Sequence, residues 1–150
     1  MEQEKFREVI AFAIDREKEA VKFYEDLQKI VRDEGAIETL KELAAMERGH
    51  ITMLERFKPD DSYMFEPEKV TDLKLSDYMV SAIPTKDSTF QDVLVIAMKR
   101  EEAAKNLYLK MASETPNENV KSMFLKIAEQ EAKHKFQLEQ FYDDNILTEM

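Results

Sequence analysis

Cysteine is absent from the 150 residues, which removes disulfides, thiol catalysis, iron–sulfur clusters and cysteine-ligated zinc together. There are only two glycines and four prolines, so long helices are favoured over sheet and turns. No apolar run approaches the ~20 residues that span a bilayer. The first residues, Met1-Glu2-Gln3-Glu4-Lys5, are charged where a signal peptide would be apolar, and a cytoplasmic location is expected. Bases are also in short supply, 22 against 32 acids. Phosphate binding needs a basic face, so neither nucleic acid nor an anionic membrane surface is an expected partner. The length suits one domain with a real core, and residues 1–150 are read as one.

Histidine is nearly as scarce. The two in the chain, His50 and His134, each follow a glutamate by three residues, in Glu47-Arg48-Gly49-His50 and Glu131-Ala132-Lys133-His134. On a helix that spacing sets both side chains on one face. The offset from His50 to His134, 84 residues, also relates Glu17 to Glu101 and Tyr24 to Tyr108. Val9/Val93, Ile10/Leu94, Ala13/Ala97, Ala20/Ala104, Ala44/Ala128, Leu54/Leu138 and Phe57/Phe141 follow the same frame without a gap. The chain is two copies of one helical-hairpin unit.

Apolar spacing predicts helices over about 3–33, 36–57, 89–114 and 116–146, with a crossover over 58–88. The first stripe runs Phe6, Val9, Ile10, Ala13, Ile14, Ala20, Val21, Tyr24, Leu27 and Ile30, with Glu17 where a hydrophobe belongs. Leu40, Leu43, Ala44, Leu54 and Phe57 form the second, interrupted by Glu47 and His50. Gly35 reads as part of a short turn, which makes these two helices antiparallel neighbours. Pro59, Pro67 and Pro84 punctuate the crossover, and Leu75 to Ile83 suits a short helix within it. Ser88 or Thr89 is the expected cap of the third helix, with Thr115-Pro116 closing it and opening the fourth. Glu101 interrupts the third stripe, and Glu131 and His134 interrupt the fourth. The pattern is all-α: four helices, the second and third joined end to end along a bundle.

Four carboxylates at mid-helix core positions would repel one another, and an isolated buried carboxylate takes up a proton sooner than stay charged. Two divalent cations would balance Glu17, Glu47, Glu101 and Glu131, with one neutral nitrogen each from His50 and His134. Mixed oxygen and nitrogen ligands on facing helices can build such a two-metal site. The bland alternative is a pair of solvated helix faces, or a bundle that keeps these residues without the metal. Two copies that use every histidine, each in core register, favour the metal. Tyr24 and Tyr108 read either as core tyrosines or as donors that orient a carboxylate. Asp15, Glu19, Glu25, Glu102 and Glu129 lie off the stripes and read as surface charge.

The motifs Ala13-x3-Glu17-x2-Ala20-x3-Tyr24, Glu47-x2-His50, Ala97-x3-Glu101-x6-Tyr108 and Glu131-x2-His134 cover nearly the whole chain. They resemble the ferritin-like di-iron carboxylate superfamily, in its rubrerythrin and bacterioferritin branch. The resemblance implies a ferritin-like four-helix bundle with a long crossover between helices 2 and 3. It implies two iron ions, with Glu17 and Glu101 as terminal ligands, Glu47 and Glu131 bridging, and His50 and His134 completing the spheres. Manganese and zinc also suit such ligands. The implied activity is a non-haem oxidoreductase that reduces hydrogen peroxide or dioxygen; the alternative is a ferroxidase or iron-binding protein for detoxification or storage. A monomer or homodimer with turnover fits the first, a cage the second. Without cysteine there is no rubredoxin-type domain in these residues, so the electron donor is expected to be a separate protein. Ala104 stands where peroxidase-type rubrerythrins carry a further glutamate, and Arg48 where bacterioferritins carry a haem-ligating methionine, so no haem is expected.

Overall fold

The computed structural model describes residues 2–57, 75–78, 80 and 90–145. They form four long helices, α1 (Glu2–Ile30), α2 (Glu34–Glu55), α3 (Phe90–Glu114) and α4 (Glu118–Asn145), and a short 3-10 helix at Leu75–Tyr78. No strand occurs among the described residues, and the fold class is all-α, of the ferritin-like four-helix kind. The three crossover prolines and the expected Ser88 or Thr89 cap lie outside the described residues. The chain divides into two compact units, Met1–Leu73 and Lys74–Met150, each containing one helical hairpin.

In the first unit α1 and α2 run antiparallel. Phe6 packs edge-on against Phe57 near the open end, ring centroids 5.9 Å apart. Towards the turn, Arg48 on α2 donates to Glu25 on α1. The periodic positions Phe6, Val9, Ile10, Ala13, Tyr24 and Leu27 of α1 are buried, as are Leu40, Leu43, Ala44 and Leu54 of α2. Each large apolar side chain removed from water in this way stabilises the fold by about 1.5–3 kcal/mol.

The turn differs from its sequence reading. α1 ends at Ile30, and Asp33 caps α2: its carboxylate accepts from the Ala36 amide at 2.8 Å and its carbonyl from the Ile37 amide at 3.0 Å. Such a cap contributes about 1 kcal/mol. Gly35 therefore lies inside the first turn of α2, with no positive φ. A Cβ at residue 35 would come within 3.2 Å of the capping Asp33 oxygen, so the missing side chain leaves room for the cap. Ile30, last of the first stripe, is 65% exposed, because it closes α1 where the chain turns away.

The second unit repeats the hairpin with α3 and α4. Tyr108 stacks on Phe124 with centroids 6.1 Å apart, and at the other end Gln91 donates to the Tyr142 hydroxyl at 2.6 Å. Leu94, Ala97, Leu107 and Met111 are buried on α3, and Val120, Phe124, Ile127, Ala128 and Leu138 on α4. The start of α4 also needs correction. Asn117 is its cap, accepting from the Val120 amide at 3.1 Å, while its own amide donates to the Thr115 hydroxyl at 3.1 Å. Pro116 thus precedes the cap instead of occupying the first helical turn. The 3-10 helix packs against α3.

Candidate metal centre

Each hairpin carries one triad of metal-capable side chains. In the first unit Glu17 comes from the middle of α1, and Glu47 and His50 from adjacent positions on one face of α2. In the second, Glu101 comes from α3, and Glu131 and His134 from α4. None of the six is more than 3% exposed, so neither Glu-x-x-His pair is a solvated helix face. Each residue replaces a hydrophobe on a buried stripe, and the helical period therefore aims it inward.

The two triads are built alike, each with its imidazole close to the carboxylate of the other helix. His50 Nδ1 lies 3.4 Å from Glu17 Oε2 and 3.7 Å from Glu47 Oε2. His134 Nδ1 lies 3.7 Å from Glu101 Oε2. One ligand atom each of Glu17, Glu47 and His50 falls within 4.8 Å of the others, and the same holds for Glu101, Glu131 and His134. A divalent ion with ligand bonds near 2 Å sets its ligand atoms roughly 3 Å apart or slightly more, so modest closure of either triad would seat one. The donor chemistry fits as well. Carboxylate oxygens and imidazole together suit iron, manganese or zinc, with no soft sulfur to select against them.

Tyr24 and Tyr108 are each 1% exposed. Tyr24 meets Phe23 edge-on at 5.6 Å, and Tyr108 holds the Phe124 stack, so both rings belong to the packing of their hairpins. Asp15, Glu19, Glu25 and Glu129 are exposed and Glu102 is partly so, as their off-stripe positions require.

Two features escaped the sequence reading. Glu114, at the end of α3, is 1% exposed and 3.9 Å from Lys110 Nζ, although the repeat frame pairs it with the exposed Ile30. That offset comparison, an acid facing an isoleucine, was the available signal. The other is an ionic link between α3 and α4, where Lys135 Nζ reaches Glu102 Oε2 at 3.1 Å. Bonds from Lys105 and then Lys135 hold the Glu102 carboxyl below its ordinary range, and the bond to Glu102 raises the Lys135 ammonium above its own.

Buried glutamate–histidine triads on helical hairpins define a helical protein with a metal-capable carboxylate site. The rubrerythrin family model matches residues 1–58 and 92–149, most of the chain, and the chain belongs to that family. Each matched segment spans one hairpin and one triad; the unmatched stretch includes the crossover prolines. No curated protein and no solved structure matches the chain.

Proposed function

We propose that the protein is a non-haem di-iron oxidoreductase that reduces hydrogen peroxide or dioxygen. The observation that carries this reading is the duplicated, buried Glu–Glu–His triad, in a chain of the rubrerythrin family. Glu17, Glu47 and His50 would hold one iron, and Glu101, Glu131 and His134 the other. Glu47 and Glu131 are the two carboxylates to which the family resemblance would give the role of shared ligands. When bound, the irons supply the electrons, alternating between ferrous and ferric states.

The chain's own residues do the rest. Nδ1 of each imidazole faces the carboxylates of its own triad, so with a cation seated among them Nδ1 would be the ligating nitrogen and Nε2 would carry the proton. Burial keeps water from competing with the ligands and strengthens their electrostatic hold on a cation. The carboxylates can bind through one oxygen or two, adjusting as the charge of the site changes. Tyr24 and Tyr108 lie two turns along from Glu17 and Glu101, and we assign them the task of fixing carboxylate orientation through their hydroxyls. Electrons come from a separate donor protein.

A ferroxidase that oxidises Fe(II) for detoxification or storage would use the same ligands. The two chemistries separate in one assay. Protein loaded anaerobically with Fe(II) is mixed with excess peroxide, then with a reductant, and iron and peroxide are followed through repeated cycles. The oxidoreductase retains about two irons per chain and consumes peroxide in each cycle. When more Fe(II) is supplied, its continued oxidation with ferric iron accumulating beyond about two per chain, and without reductant-dependent peroxide turnover, would instead identify the ferroxidase.

A further inference from the structure

The duplication makes the two triads alike in their ligands, but what lies beside those ligands differs. In the second unit Glu102 follows Glu101 directly and Lys135 follows His134 directly. Their side chains join α3 to α4 at 3.1 Å. The link is braced from both helices: Lys105 Nζ lies 2.9 Å from the other oxygen of Glu102, and Glu139 lies 3.7 Å from Lys135. Two lysines and two glutamates make the cluster neutral, so its main effect on a nearby cation is to set geometry. The link is partly sheltered, with Lys135 and Glu102 side chains 34% and 37% exposed.

The first unit cannot build this link. At the repeat offset, Glu102, Lys105 and Lys135 correspond to Lys18, Val21 and Ile51. An inter-helix ion pair of the first unit, Arg48–Glu25, starts beside Glu47 on α2 but touches α1 eight residues beyond Glu17, beside Tyr24, so it adjoins the triad on one helix only. Glu25 is about 12 Å along the helix from Glu17.

We infer that Glu102 and Lys135 are positioning residues for the second triad, which make the two metal positions unequal. The ion pair fixes the register of α3 against α4 at the residues adjoining Glu101 and His134. The second triad thereby loses less freedom on closing around an ion than the first, and it fills first. This inference rests on the metal-binding reading proposed above.

The test uses the full chain and Co(II) as probe, under anaerobic conditions, read by visible d–d absorption and by calorimetry. Glu17→Ala with His50→Ala leaves only the second triad competent, and Glu101→Ala with His134→Ala only the first. Into each background goes the charge-neutral pair Glu102→Gln with Lys135→Met. The expected result is a loss of Co(II) affinity of about three- to five-fold where the second triad is intact, in keeping with a partly exposed ion pair. No change is expected where only the first triad is intact. Lys135→Arg, which retains the pairing charge, should keep the affinity and the cobalt spectrum of the second triad. Urea midpoints of all variants separate loss of fold from loss of positioning. An equal effect in both backgrounds, or none in either, overturns the inference while leaving the metal site standing. Failure of the unaltered protein to take up Co(II), Fe(II) or Mn(II) overturns the metal reading, and this inference with it.

Discussion

At the scale of single residues, position on a stripe says more than residue type. Glu47 and Glu42 share one helix, yet Glu47 is fully buried and Glu42 exposed, because only Glu47 falls on the inward period. The six triad residues were legible in the sequence for that reason. Each breaks an apolar stripe where burial costs most, and each break recurs in the second copy. Glu114 was missed by the stripe reading, and only the repeat frame, which sets it against Ile30, marked it. The same periodicity that places a residue on a face says nothing about how far along the helix a covering element extends. Gly49, between Arg48 and His50, offers a test at this scale. It is exposed in mid-helix, and a Cβ there would meet nothing within 4 Å. Gly49→Ala should therefore stabilise the protein by about 0.5–1 kcal/mol, seen as a higher urea midpoint, with metal uptake unchanged. A lower midpoint would show that the backbone at residue 49 needs its freedom.

Elements were legible in number and type, less so at their ends. Long amphipathic runs with few breakers leave four helices as the simple solution. The ends are set by local hydrogen bonds that compete with helix propagation. Asp33 and Asn117 win that competition with their side-chain caps, which moves Gly35 into α2 and leaves Pro116 ahead of α4. The 3-10 helix against α3 has its own signature. Burial first, then the charges of Glu114 and Asp77, raise the Tyr78 hydroxyl above its ordinary value of 10.0. With the folded value raised, the contribution of neutral Tyr78 is complete below pH 10.0 and is lost as pH rises through the folded value. Relative to Tyr78→Phe, the unaltered protein should lose stability between about pH 9 and 11, read from paired urea titrations. A constant difference across that range would show that Tyr78 titrates as it does in the unfolded chain.

At the scale of the whole molecule, each of the two hairpins buries two carboxylates that a cation would balance. On the metal-binding reading, two like ligand triads in a chain of formal charge −10 would make metal loading a term in stability. An ion present at 100 times its dissociation constant adds about 2.7 kcal/mol to the folded state. For a chain of this size that corresponds to a melting temperature roughly 5–10 °C higher. Calorimetric scans of loaded and chelator-treated protein should show a shift of that order. Equal melting temperatures, with occupancy verified, would mean that the acids are balanced by protons instead.

The central claim is that Glu47 and Glu131, with their four companions, hold two irons. It is tested most directly by metal analysis of protein purified without chelators, run beside the Glu47→Ala plus Glu131→Ala variant. About two irons per chain are predicted for the unaltered protein, and a near-complete loss for the folded variant. Metal-free protein that takes up no Fe(II) under anaerobic conditions, or a variant that keeps its iron, would contradict the assignment.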